Sequence, residues 1–326
     1  MCTVAEVIAA SQLRVAVAGW LERGALARGW PAPLARLQAS FAARTLARPL
    51  VIPRGLTVIT VGGATLGGSG KTRVALAVAR SLAARGARVA LVGHAYRARP
   101  GRARVVRVDD ALAAVGDEAL LSARTLGASC PVVVARTRQS AIDHAATLAD
   151  LVILDGPLQL APVRAALALL AVDADAPWGA GALPPAGDLR AARSALLAHA
   201  DLVVPVDAAP CFPATTLASL RAQRVGLFTA LGRPARLEAA LRRVGVIPAV
   251  IVRAADHGPV TANLARRLAH ANVDGWVASD KCALHLAPVV GERAITVIEG
   301  RCGLPEEVEV GLARLLGGIM PYTGRP

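Results

Sequence analysis

Residues 65–72 read TLGGSGKT, and Lys71 within them is one of two lysines, with Lys281, among 37 basic residues. A glycine-rich run lets successive backbone N–H groups converge on phosphate oxygens, and a helix starting at its end adds partial positive charge there. Thr65, Leu66, Gly67, Gly68, Ser69, Gly70, Lys71 and Thr72 therefore read as a nucleotide phosphate loop. Lys71 would meet the β- and γ-phosphates as a compact charge on a thin stem, where the planar arginine fork would not fit. The Thr72 hydroxyl would face Mg²⁺. Against the pattern GxxxxGK[ST] there is one mismatch, Thr65 at the first glycine. Asp155 ends the apolar run LVILD, where a carboxylate would hold Mg²⁺ through its shell. Its alternative is a turn-opening Asp. Asp117 follows the run RVVRV where a helix should begin, so from the residues alone it is equally a helix N-cap. His257 by itself reads as a structural or surface histidine.

These groups need a rigid frame. From Leu56 onward short apolar or β-branched runs alternate with alanine-rich helical stretches such as 72–85 and 117–126. The runs are LTVITV (56–61), RVALVG (88–93), RVVRV (104–108), PVVVA (131–135), LVILD (151–155), ALLAVD (168–173) and LVVPV (202–206). Alternation of this kind predicts an α/β fold, a mostly parallel sheet flanked by helices as in P-loop NTPases. Buried parallel strands read as unbroken apolar runs, and these do. A second, shorter α/β series follows in VGLFTA, PAVIV, GWVAS and AITVI. Three regions are expected: an amphipathic helical segment over 1–54, a P-loop domain over 55–220 and a smaller α/β domain over 221–326.

The first 50 residues interleave apolar positions with arginines and carry Trp20 and Trp30. Such a helix can lie in a membrane interface or pack as a helical pair on the main domain, and the residues leave both open. Net charge is +14, which favours an anionic partner: nucleic acid, a phosphorylated substrate or an anionic membrane face. Aromatics make up only 3%, which disfavours stacking on single-stranded nucleic acid. The basic stretch 97–107 lacks interleaved aromatics, so no nucleic-acid partner is expected. The five widely spaced cysteines show no CxxC pair and an odd total, which indicates neither a disulfide framework nor a zinc site. No signal peptide and no charge-free apolar run of 18 residues is apparent.

The run VGGATLGGSGKT (61–72) is similar to the VGNxTVGGTGKTP segment of the tetraacyldisaccharide 4'-kinases, in which Thr also stands at the first loop position. Further segments agree in order: VGDEALLSA (115–123), PVVVARTR (131–138), LVILDGPLQL (151–160), LPPAGDLR (183–190), LGRPARLEAAL (231–241), ADHGPVT (255–261) and SDKCALHL (279–286). The resemblance covers roughly residues 40–300. It implies ATP- and Mg²⁺-dependent phosphorylation of the 4'-hydroxyl of a tetraacyldisaccharide 1-phosphate, at the cytoplasmic face of the bacterial inner membrane. It also implies that residues 1–54 associate with the membrane, where the positive charge would meet anionic lipid and a substrate already bearing phosphate. By resemblance Asp117 is the base that receives the hydroxyl proton and His257 its partner; Asp155 and Thr72 remain the metal side, with Glu118 a further candidate for the metal shell. Lys281 matches a family lysine without an assigned role.

Departures cluster away from the loop. The second Asp of the family's DDGFQH is Gly156, its Phe and His are Leu158 and Leu160, its DR aspartate is Thr137, the Asn before the loop is Gly63 and the Pro after it Arg73. Of its SRGYG turn Tyr96 remains. A weakened or silent nucleotide-binding homologue is therefore an alternative, as is a membrane-associated P-loop ATPase, although the signature lysine of the deviant-loop ATPases is replaced by Leu66.

Overall fold

The computed structural model describes residues 17, 20–21, 24, 32–93, 98, 100–207, 212–231, 234–254, 260–298 and 302–319. Most of the expected amphipathic segment, Tyr96, and Asp256 with His257 lie outside the described residues. Thirteen strands are described: β1 (Ala47–Pro49), β2 (Thr57–Gly63), β3 (Val89–Val92), β4 (Arg104–Val105), β5 (Val132–Val134), β6 (Leu151–Asp155), β7 (Gln159–Ala161), β8 (Leu167–Asp173), β9 (Leu202–Val206), β10 (Val225–Thr229), β11 (Val250–Arg253), β12 (Gly275–Ser279) and β13 (Ala294–Ile298). Seven form one sheet in the order β4-β5-β3-β6-β2-β8-β9. All its pairings are parallel except β4 with β5.

The unbroken apolar runs explain the placement of β2, β6 and β8 at the centre, where every residue but Thr57 is buried. One face is covered by the helix Lys71–Ala84, whose Val74, Ala75, Val78, Ala79 and Leu82 recur at three- and four-residue spacing and are all buried. RVVRV yields only the two-residue strand β4, running antiparallel. Arg107 and Asp110 explain the early stop, since the Asp110 carboxylate accepts from Arg107 N and pairs with Arg104, closing a turn.

β10 to β13 form a separate four-stranded parallel sheet, ordered β11-β10-β12-β13. It has its own core around Phe228, Trp276, Leu268 and Leu286. The closing helix Glu306–Ile319 does not join that core, although the sequence groups it with the second series. Its Val308, Leu312 and Leu316 form a stripe at four-residue intervals that enters the core of the first sheet with Val74 and Leu82. Ser81 Oγ donates to Glu309 across that junction, 2.7 Å. Both sheets leave their strand carboxyl ends on the same cleft, where β2, β6, β8 and β12 deliver the loop, Gly156, Asp173 and Ser279.

Candidate active site

The phosphate loop leaves β2 at Gly63 and ends at Gly70, whose φ of +79° turns the chain into the helix. A Cβ on Gly70 would stand 2.6 Å from Val206 Cγ1, so the position is closed to side chains by both conformation and space. Gly70→Ala is expected to cost about 1–3 kcal/mol, read by urea denaturation, because the positive φ strains any side chain and the buried Val206 side chain stands in its way. A Cβ on Gly63 would overlap the Ser69 hydroxyl, so a side chain there would have to displace it. Thr65 earns its place by hydrogen bonding: its Oγ1 donates to Gly67 O, 2.8 Å, inside the loop. The segment 183–190 fastens that loop from outside. Leu66 N donates to Asp188 O, Arg190 N to Ala64 O and Arg190 Nε to Thr65 O, each at 2.9 Å.

Lys71 and Thr72 open the helix, and both face Asp155 at the end of β6. Thr72 Oγ1 donates to Asp155 Oδ2 at 2.7 Å, and Lys71 Nζ stands 3.4 Å from Oδ1. Burial pushes the Lys71 pKa down, but Asp155 and Glu118 outweigh it and hold the ammonium above its ordinary value, fully charged at neutral pH. Asp155 Oδ1 is buried and accepts no hydrogen bond. A buried carboxylate oxygen left open beside a threonine hydroxyl is a fitting pair of oxygen donors for Mg²⁺, which takes few protein ligands and completes its shell with phosphate and water. No group of three or more His, Cys, Asp or Glu suited to a metal occurs among the described residues.

Asp117 is the first residue of the helix Asp117–Leu126, with Gly116 as its cap. It is therefore not the N-cap. Its Oδ1 accepts from Glu118 N at 2.8 Å, and its side chain is 5% exposed. The next residue joins the two lysines: Glu118 Oε2 lies 3.7 Å from Lys71 Nζ and Oε1 3.4 Å from Lys281 Nζ. Lys281 also stands 3.8 Å from Asp117 Oδ2. Thus both lysines of the chain meet at one carboxylate. Lys281 opens the helix Asp280–Val290 from the second sheet, started by Ser279, whose hydroxyl accepts from Cys282 N.

One turn further along that helix stands His285, a residue that sequence reasoning missed. Its Nε2 is 3.3 Å from Asp117 Oδ2 and its side chain is 10% exposed. The only signal in the sequence was spacing: positions 281 and 285 share a helix face, so a lysine directed at the site brings a histidine with it. Glu118 and Lys281 line a cleft of about 590 Å³ with residues 66–72, Arg48, Arg138 and Arg190, and Asp117 meets Lys281 and His285 just outside that lining.

A parallel sheet, a glycine loop opening a helix and a strand-end Asp bonded to the loop threonine define a P-loop phosphotransfer-type site. Sequence comparison narrows the class. The profile of the family described as Tetraacyldisaccharide-1-P 4'-kinase matches residues 32–314, and the chain belongs to that family. It is 37% identical over 250 residues to a protein named tetraacyldisaccharide 4'-kinase from Methylobacterium sp. (strain 4-46), covering 69% of this chain and 74% of that one. A protein of the same name from Azorhizobium caulinodans is 32% identical over 288 residues, 80% of this chain and 83% of the relative. The fold is that of LpxK from Aquifex aeolicus, solved in an "apo" form in complex with ATP, with a TM-score of 0.66 at 19% identity over 92% of this chain and 99% of that one.

Proposed function

We infer that the protein transfers the γ-phosphate of ATP to the 4'-hydroxyl of tetraacyldisaccharide 1-phosphate, the step that forms lipid IVA in lipid A biosynthesis. The observation that carries this reading is the junction at Glu118, which links the phosphate-loop lysine to Lys281 and, through it, to the neighbouring Asp117 carboxylate. Phosphoryl transfer asks a protein mainly for positioning and charge neutralisation. Lys71 and the loop N–H groups would hold the β- and γ-phosphates. Thr72 and Asp155 would hold Mg²⁺, whose charge would offset that of the phosphates, with Glu118 at its margin. Asp117 is the group to accept the proton of the attacking hydroxyl.

His285 is read as a positioning residue that fixes Oδ2 of that base, a role the sequence resemblance assigned to His257. His285→Ala is expected to lower kcat about tenfold with KM for ATP unchanged, and His285→Gln, which keeps a donor, to restore most of the rate. Equal kcat in the alanine variant and its parent would remove His285 from the reading.

Membrane association is part of the proposal. The helix Ala32–Arg44 exposes Leu37 and Phe41, each 70% accessible, one turn apart, and leads directly into Thr45, Leu46 and Arg48 at the cleft. An acylated substrate held at an anionic inner-membrane face would meet this edge first. Among the described residues no helix is long and apolar enough to cross a membrane. The test is direct: purified protein with ATP, Mg²⁺ and tetraacyldisaccharide 1-phosphate in detergent should yield the 4'-phosphorylated lipid. Absence of product overturns the assignment.

A further inference from the structure

Arg138 occupies space that a side chain at residue 156 would need. Gly156 closes β6 with φ +121°, and a Cβ there would lie 2.7 Å from Arg138 Nη2 and 3.2 Å from Nη1. In relatives the pattern puts a carboxylate at this position; here the guanidinium lies against bare backbone. Arg138 makes no hydrogen bond or ion pair with any described residue, and it opens the helix Arg138–Ala145, where a cation opposes the helix dipole. Thr137 already caps that helix, its hydroxyl accepting from Ser140 N at 3.1 Å. Helix stability therefore gives no reason for the arginine.

Two more guanidinium groups share the corner. Burial, then the charges of Arg48 and Arg190, push the Arg138 pKa below its ordinary value, against the pull of Asp155. Burial and Arg48 do the same to Arg190, again against Asp155 and, more weakly, Glu118. Arg190 uses Nε on Thr65 O, and its terminal nitrogens have no partner among the described residues. Asp155 cannot balance three cations, since it is already bonded to Thr72 and faced by Lys71. Around the cleft as a whole, seven Arg and Lys side chains stand against four Asp and Glu. Like charges gathered without a partner are costly where they are partly buried, as Arg138 and Arg190 are, and a dianion accepting the fork-shaped N–H groups relieves that cost.

We propose that Arg48, Arg138 and Arg190 form a second phosphate subsite beside the loop, which takes a terminal phosphoryl dianion, and that Gly156 keeps Arg138 available to it. The source of the dianion rests on the phosphotransfer reading: it is the terminal phosphate of the nucleotide or the phosphate the acceptor already carries.

Calorimetric titration separates these without needing turnover. ATP, ADP and tetraacyldisaccharide 1-phosphate in detergent micelles are each titrated into the parent, Arg138→Gln and Arg48→Gln. Charge-assisted hydrogen bonds set the expected loss at about tenfold for the ligand the subsite holds, with ADP within about twofold. Loss for ATP but not ADP identifies the nucleotide's terminal phosphate; loss for the disaccharide alone identifies the acceptor's. Gly156→Asp, which offers Arg138 a carboxylate, should weaken the same ligand. Its positive φ strains any side chain, so the two arginine variants decide the matter if it fails to fold. All three ligands binding the arginine variants as they bind the parent overturns the subsite. Because these are binding measurements, they stand even if the parent shows no phosphate transfer.

Discussion

Lys71→Ala is expected to lower kcat/KM for phosphate transfer by about a hundredfold to a thousandfold, the range seen when one preorganised electrostatic donor is removed. The ammonium is held between Asp155 and Glu118 and kept above its ordinary pKa by both, so its charge is present at every working pH. Removing it takes a cation from the phosphates and also leaves two carboxylates facing each other across the loop. Repulsion between them should weaken ATP binding further, more at low salt than at high. Lys71→Arg is expected to rescue little, because a broad planar guanidinium does not replace a compact ammonium held between Asp155 and Glu118. Steady-state kinetics beside a thermal unfolding curve check the point. A parent-like rate in a folded Lys71→Ala protein would contradict the assignment of the loop.

The second large effect concerns Asp117→Asn, for which kcat should fall about a hundredfold to ten-thousandfold while ATP affinity changes by only a few-fold. Asparagine preserves the shape and the oxygen that accepts from Glu118 N, so the helix Asp117–Leu126 should start as before. What is lost is the negative charge facing Lys281 and His285 and the lone pair that receives a proton. Single-turnover measurements at saturating ATP separate that loss from binding. Transfer that survives the substitution unchanged would remove Asp117 as the base.

The loop was legible because its chemistry is contiguous: strand, glycines, lysine and helix follow one another, and each constrains the next. Asp155 was legible for a related reason, since a carboxylate ending a wholly apolar strand has few places to go in a parallel sheet. The meeting of Lys71 with Lys281 at Glu118 was not, because it depends on how two separately folded sheets dock. The pairing of Arg138 with Gly156 was hidden for the same reason: each residue on its own reads as a departure or an ordinary surface cation. Thr137 looked like a lost aspartate and proved to be a competent cap. The final helix was grouped with its neighbours in sequence, yet its apolar stripe matches the first sheet and not the second.

The helix Asp280–Val290 has a consequence for reading genetic variation. Its Cys282, Leu286 and Val290 are buried with Phe228 and Trp276, while Lys281 and His285 reach across to Asp117. The register of that helix is thus set by residues remote from any phosphate. A substitution at Phe228 or Trp276 that lets it slide by an ångström would leave the phosphate loop intact and the protein folded, yet would strip the base of its neighbours. In a screen such alleles would score as kinetic lesions and be mistaken for active-site changes, although they sit in a hydrophobic interior on the other sheet.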